Sequence, residues 1–252
     1  MRMLTSFLIG IASLASTWLG FQHVHAASVA AAARAAPVAS TTVAATTGKP
    51  IYLSLDLDMN GSMYRKIRSE GKVWYDPAVF AYLEQHKVPA TFFVSGLFAV
   101  AYPELIQNLA SSGQFAFENH SYDESSFVPH CYWLRTLTTD PQKIQQVEDT
   151  EQILKKDTGQ TAALFRFPGA CTNARNDALV KSLGYTVNDG TDISGDPFNK
   201  DTNAIVRAVL VQATPGATIL MHVGGPNAPR SLAVLEQVVP KLEARGYRFE
   251  RL

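Results

Sequence analysis

From Ile51 onward, strand-like and helix-like segments alternate along the chain. Seven short runs rich in β-branched or aromatic residues and bounded by turn residues read as strands: 51–57, 90–95, 115–119, 164–167, 185–188, 218–222 and 247–251. Helical segments fall between most of them. Asp76-Pro77 is an N-cap followed by a first-turn proline and opens a helix over 77–87; Asp140-Pro141 does the same for 141–157. Gly113, Gly159, Gly184 and Gly246 stand where helices should stop. Seven strands alternating with about six helices predict one α/β domain with a parallel sheet, a closed or nearly closed (β/α) barrel, with an open doubly wound sheet as the other topology.

The first 50 residues follow different rules. They contain no acid, and the first carboxylate of the chain is Asp56. Arg2, an apolar run over 3–21 and small residues at Val24 and Ala26 predict a secretory signal peptide over 1–26. An uncleaved anchor is the alternative, since roughly 18 apolar residues can span a bilayer. Residues 27–49 are rich in Ala, Thr, Ser and Val with no apolar face, and are expected to form a disordered linker to a folded domain over 50–252. The folded part is therefore expected to be secreted or periplasmic, with no stable membrane insertion once the signal is cleaved.

Composition removes several function classes. With 22 Lys+Arg against 22 Asp+Glu, there is no electrostatic reason to expect nucleic acid as a partner. Two cysteines are too few for a disulfide scaffold or a four-thiolate zinc site. The chemistry must lie in residue placement, and the ends of the predicted strands are where unusual residues collect. Asp56 and Asp58 end the first, His120 the third and Arg166 the fourth; Asp189 and Asp196 follow the fifth, and His222 ends the sixth. In a parallel barrel all these ends lie on one rim, the usual seat of catalysis. Each residue alone has a structural explanation: a turn-starting Asp, a core His, a structural ion pair for Arg166. Seven titratable groups on one rim are hard to explain as scaffolding. Alternation sets Asp56 and Asp58 on the same side of their strand, where a cation or a shared proton would relieve their repulsion.

Five segments carry a family resemblance in order: Leu53-Ser54-Leu55-Asp56-Leu57-Asp58-Met59, Asn119-His120-Ser121-Tyr122-Asp123-Glu124, Phe165-Arg166-Phe167-Pro168-Gly169, Ile193-Ser194-Gly195-Asp196 and Leu220-Met221-His222. Together they resemble the NodB-type polysaccharide deacetylases of carbohydrate esterase family 4, in a branch with an Asp-x-Asp-Met first motif. The resemblance spans about 51–252 and implies a distorted (β/α) barrel that uses a divalent metal, often zinc, to remove acetyl groups from N-acetylated glycans such as chitin oligomers or peptidoglycan. It implies Asp56 as general base, Arg166 as the residue orienting it, His222 as general acid and Asp196 as its tuning partner. Asp58 and His120 match metal ligands, and Glu124 stands at the third ligand position. Pro168, Gly169, Leu220 and Tyr122 fall among the pocket-lining positions, with Leu220 under the acetyl methyl group.

Two positions depart from the family pattern. Glu124 replaces a histidine, giving a harder, more oxygen-rich ligand set in which Mn²⁺ or Mg²⁺ gains relative to Zn²⁺; His130 is an alternative ligand nearby. Gly190-Thr191 stands where the related branch has a Trp-Asp pair. Cys131 and Cys171 follow the second and third motifs, and in an oxidising compartment a disulfide between them is expected, stabilising by about 3–4 kcal/mol. Tyr132-Trp133 and Trp74-Tyr75 are each either sugar platforms or core. The leading expectation is a metal-dependent glycan deacetylase. The rival expectations are a catalytically silent glycan-binding relative and an amidase acting on a non-sugar substrate.

Overall fold

The computed structural model describes residues 48–252; the predicted signal peptide and nearly all of the predicted linker lie outside them. Among the described residues there are eight strands: β1 (Lys49–Leu57), β2 (Ala90–Val94), β3 (Phe115–Asn119), β4 (Leu164–Phe165), β5 (Thr186–Val187), β6 (Asp192–Ile193), β7 (Thr218–His222) and β8 (Tyr247–Glu250). Helices α1 (Gly61–Glu70), α2 (Pro77–Gln85), α3 (Gly96–Ala101), α4 (Pro103–Ser111), α5 (Asp140–Thr158), α6 (Ala174–Ser182), α7 (Thr202–Gln212) and α8 (Ser231–Ala244) connect them. Among the described residues the α-helices therefore number eight rather than about six, because the β1–β2 and β2–β3 connections each hold two.

Every strand pairing is parallel, in the order β5-β4-β3-β2-β1-β7-β6. The sheet curls into a distorted (β/α) barrel, and among the described residues no ladder joins β5 to β6, so it stays open along that seam. β8 pairs with Lys49–Tyr52 on the side of β1 that β2 occupies further along, and the Leu252 N–H donates to Thr91 Oγ1 at 3.0 Å. β6 was not foreseen. Two residues carry no periodicity, and the segment is a strand because Asp192 and Ile193 register with Ile219 and Leu220 of β7.

Alternation along β1 explains both core and site. Ile51, Leu53, Leu55 and Leu57 pack with Phe92 and Val94 of β2, Ile219 and Met221 of β7 and the surrounding helices in one core. Ser54 and Asp56 take the opposite face, in register with Leu220 and His222. A second apolar cluster of Phe127, Val147, Phe165, Phe167, Val180 and Tyr185 supports the long connection between β3 and α5.

Helix termini follow local chemistry. Asp76 caps α2 by accepting from the Ala78 N–H at 2.9 Å, as predicted. At α5 the cap is Thr139 rather than Asp140: the Gln142 side chain reaches back to the N–H groups of Thr138 and Thr139, while Asp140 joins the first turn and pairs with Arg175 at 2.8 Å. Gly159 ends α5 in the left-handed conformation, φ 71°.

Candidate active site

The strand ends converge as the sequence predicted. Asp56, Asp58, His120, Glu124, Gly169, Leu220 and His222 line one cleft of about 490 Å³, together with Trp133, Asn60 and Asn227. Behind its floor lies Arg166, the largest of the fully buried side chains. Its Nη1 donates to Asp56 Oδ1 at 2.6 Å, Nη2 to Ser54 Oγ at 2.8 Å and Nε to the Asn188 carbonyl at 2.9 Å. The guanidinium lies 3.8 Å from the centre of the Phe93 ring. Arg166 is thereby immobilised, and Asp56 with it. Ser54, Phe93 and Asn188 were not singled out in the sequence; Ser54 was detectable, since it lies two residues before Asp56 on the same strand face.

His120 has its tautomer set by its neighbours. Nδ1 lies 2.9 Å from the Arg166 carbonyl, which can only accept, so Nδ1 carries the hydrogen and Nε2 faces the cleft. Around Nε2 stand Asp58 Oδ1 at 3.4 Å, Glu124 Oε1 at 3.6 Å and Asp56 Oδ2 at 3.9 Å. Burial opposes charge on His120, but Glu124, Asp56 and Asp58 outweigh it and raise its pKa to about 10. Burial and the Asp58 carboxylate raise that of Glu124 to about 8. Burial pushes Asp58 upward, yet His222, His120 and Arg166 win and hold it below the ordinary carboxylate range.

This surplus of carboxylate suits a cation. Asp58 Oδ1 and Glu124 Oε1 are both buried without a hydrogen-bond partner, an expensive arrangement unless something positive lies between them. Asp56, Asp58 and His120 each offer a ligating atom within 4.8 Å of the others, and Glu124 adjoins them through His120. The donor set fits a divalent metal ion, with the expected Asp58 and His120 in it, Asp56 beside them and Glu124 at its edge.

His222 faces Asp56 from the adjacent strand. Asp196 holds it twice, accepting from the His222 backbone N–H at 2.9 Å and lying 2.9 Å from Nδ1. Asp196 is in turn fixed by Ser194 Oγ at 2.8 Å and Ser231 Oγ at 3.1 Å. Nδ1 therefore carries a hydrogen, and Nε2 points to the cleft, 3.4 Å from Asp58 Oδ2. Burial opposes protonation, but Asp196 and Asp58 raise the His222 pKa to about 10.

Other expected positions separate. Cys131 and Cys171 form a disulfide across 40 residues. Gly169 has φ 64°, and a Cβ there would lie 2.8 Å from Cys131 Sγ, so only glycine fits beneath the bridge. Pro168 is buried beside it and does not line the cleft. Tyr122 turns away: it packs on the core over Gly96, where a Cβ would come within 2.5 Å of its ring, because Ser121 adopts φ 63° and redirects the chain. His130 is exposed and outside the cleft lining, whereas Glu124 lines it. Trp74 and Tyr75 belong to the core, Trp74 donating to the Met63 carbonyl at 3.0 Å and Tyr75 standing edge-on to Tyr102. Asp189 accepts from the Phe167 N–H at 3.2 Å and steadies the third motif.

Known proteins resemble this chain in sequence and fold. The family model for polysaccharide deacetylases matches residues 44–188. A peptidoglycan-N-acetylglucosamine deacetylase of Bacillus cereus is 28% identical over 177 residues, covering 69% of this chain and 78% of the relative. A chitooligosaccharide deacetylase of Rhizobium leguminosarum bv. phaseoli is 31% identical over 183 residues, covering 67% and 76%. In three dimensions, the crystal structure of the Bc1960 peptidoglycan N-acetylglucosamine deacetylase superposes with a TM-score of 0.68 at 23% identity, over 81% of this chain and 86% of that one. The family model covers more than half of the chain and the open parallel barrel is shared with the solved structure, so the chain belongs to the polysaccharide deacetylase family.

Proposed function

We propose that this protein hydrolyses the acetamide of an N-acetylated glycan, of the chitin-oligomer or peptidoglycan type, in a metal-dependent reaction. One observation carries the reading: Asp56 clamped by Arg166 and His222 clamped by Asp196 are register partners on β1 and β7, facing one cleft. A divalent cation held by Asp58, His120 and Glu124 would polarise the acetyl carbonyl and lower the pKa of water towards about 7.

The rest is done by side chains. Asp56 takes the proton from the water that attacks the acetyl carbon, while Arg166 keeps its carboxylate in place. His222 enters protonated, as its raised pKa requires, and delivers a proton from Nε2 to the nitrogen as the C–N bond breaks. Asp196 holds the imidazole by Nδ1 throughout. Acetate and a free amine leave. Leu220, at the cleft floor one turn of the pleat before His222, is placed to take the acetyl methyl group.

The ligand set, two carboxylates and one imidazole, favours a harder ion such as Mn²⁺ relative to Zn²⁺ more than a two-histidine set does. The acid-free, apolar N-terminus and the disulfide support action outside the cytoplasm. Among the described residues no helix is long and apolar enough to cross a membrane.

The test is acetate release from acetylated chitooligosaccharides and peptidoglycan by chelator-stripped protein supplied with Zn²⁺, Mn²⁺, Mg²⁺ or Co²⁺. Release restored by one ion upholds the proposal; no release by folded, metal-loaded protein overturns it in favour of a silent glycan binder.

A further inference from the structure

The Glu124 carboxylate is aimed by its backbone rather than by its own contacts. Its Oε1 is buried without a hydrogen-bond partner, 3.6 Å from His120 Nε2. The short turn from His120 to Glu124 contains two non-glycine residues in left-handed backbone, Ser121 at φ 63° and Glu124 at φ 60°. Such residues keep that conformation only where their surroundings impose it.

Two helices impose it here. From α3, the Gly96 and Leu97 N–H groups donate to the Ser121 and Tyr122 carbonyls at 3.0 and 2.8 Å. From α5, Thr150 Oγ1 donates to the same Ser121 carbonyl at 2.8 Å. The turn's own donors all go to a single atom of α5. Gln146 Oε1 accepts from Ser121 Oγ at 3.0 Å, from the Tyr122 N–H at 3.0 Å and from the Asp123 N–H at 3.2 Å. Backbone N–H groups can only donate, so the atom they meet must be the amide oxygen.

Gln146 stands on a firm base and away from the cleft. Its neighbour Val147 and, one turn on, Thr150 are buried, and the capping box at Thr139 and Gln142 fixes the start of the helix. Gln146 is not among the residues that line the cleft, so anything it does there passes through the turn. An amide also suits the place. Asp56, Asp58 and Glu124 already crowd the cleft, and an amide oxygen gathers three donors without adding a fourth charge.

We propose that Gln146 is a positioning residue for the cation site: its one oxygen gathers the turn between His120 and Glu124 and so sets the Glu124 carboxylate beside His120 Nε2. This role presupposes the divalent-ion reading above and adds to it the residue that holds the third ligand in place.

The test titrates the chelator-stripped full chain with Mn²⁺ and with Zn²⁺ by calorimetry, with circular dichroism as the check on folding. Q146L removes the acceptor and should weaken Mn²⁺ binding about 10–100-fold, the range expected when the partner behind a ligand is lost. Q146N carries an amide one methylene too short to reach the turn and should lose affinity likewise, so the expectation does not hang on one variant's folding. Q146E restores an acceptor and should recover most of the affinity. In an E124Q background Q146L should cost little more, since its effect passes through Glu124. Unchanged affinity in Q146L and Q146N, or an equal loss with and without E124Q, overturns the role while the parent's binding leaves the cation reading standing. A parent that binds neither ion overturns the cation reading and the role with it. Acetate release is scored on the same samples: Gln146-dependent binding without release by the parent upholds the role and overturns the enzyme reading alone.

Discussion

Arg166 Nη1 and Asp56 Oδ1 meet at 2.6 Å across 110 residues of sequence, and both side chains are buried. The pair is the mechanical centre of the site. Arg166 also supplies the carbonyl that fixes His120, so one residue orients the proposed base through its side chain and a cleft-facing imidazole through its backbone.

Asp56→Asn keeps an oxygen for Arg166 but cannot take a proton. Turnover should fall by about 10²–10⁴, the range of a lost general base, with the circular dichroism spectrum unchanged. Activity within a few-fold of the parent would remove Asp56 from the role of base.

Arg166→Met should act on stability as well as activity. It leaves the buried Asp56 carboxylate and Ser54 Oγ, and the half-buried Asn188 carbonyl, without the donor they now have, and truncating one partner of a buried pair costs about 3–5 kcal/mol. Urea unfolding should report a loss of that order. A loss below about 1 kcal/mol would show that water replaces the guanidinium freely.

Glu124→His tests the ligand set by metal binding as well as by catalysis. The substitution exchanges an orphaned carboxylate oxygen for a softer nitrogen. Competition calorimetry on apo protein should show the Zn²⁺-to-Mn²⁺ affinity ratio rising about tenfold or more, with acetate release rising in zinc if the natural site is tuned away from that ion. An unchanged ratio would place Glu124 outside the coordination sphere.

Much of this was legible in the sequence because it rides on strand periodicity. Asp56, Arg166 and His222 sit at the ends of segments whose alternation also builds the core, so finding the strands found the rim. The disulfide was readable from two cysteines beside two motifs. What escaped was non-local or too short for a period. β6 exists because β7 pairs with it, and Phe198 joins Tyr132 only across the open seam. Tyr122 was expected among the pocket-lining positions and Trp74 was left open between platform and core, since an aromatic beside a motif looks the same whether a turn sends it inward or outward; the left-handed Ser121 decided the first and core packing the second. Among the described residues, eight α-helices instead of about six reflect paired helices within single connections.

Reducing the Cys131–Cys171 bridge releases a 40-residue loop that carries Tyr132 and Trp133 near one end and Arg166 near the other. The chain-entropy model assigns about 3–4 kcal/mol to such a closure. At about 2–4 °C per kcal/mol for a domain of this size, the melting temperature should drop by roughly 10 °C in reductant. A shift under about 2 °C would mean that the second apolar cluster holds the loop without the bridge.

Asp192 makes a prediction about pH that is independent of the proposed chemistry. It lies on β6 fully buried, and both carboxylate oxygens lack a hydrogen-bond partner. Burial raises its pKa from 3.8 to about 7. An acid whose folded pKa is raised holds its proton more tightly when folded, so ionisation opposes folding. The penalty is absent below about pH 4, grows as pH rises towards 7 and is constant above that, with a ceiling of about 4 kcal/mol. Asp192→Asn, which cannot ionise, should therefore unfold at higher denaturant than the parent at pH 8, and the advantage should shrink steadily as pH falls to 4. Parallel stability curves for the two proteins across that window would show that Asp192 stays ionised, with a cation or water meeting its oxygens.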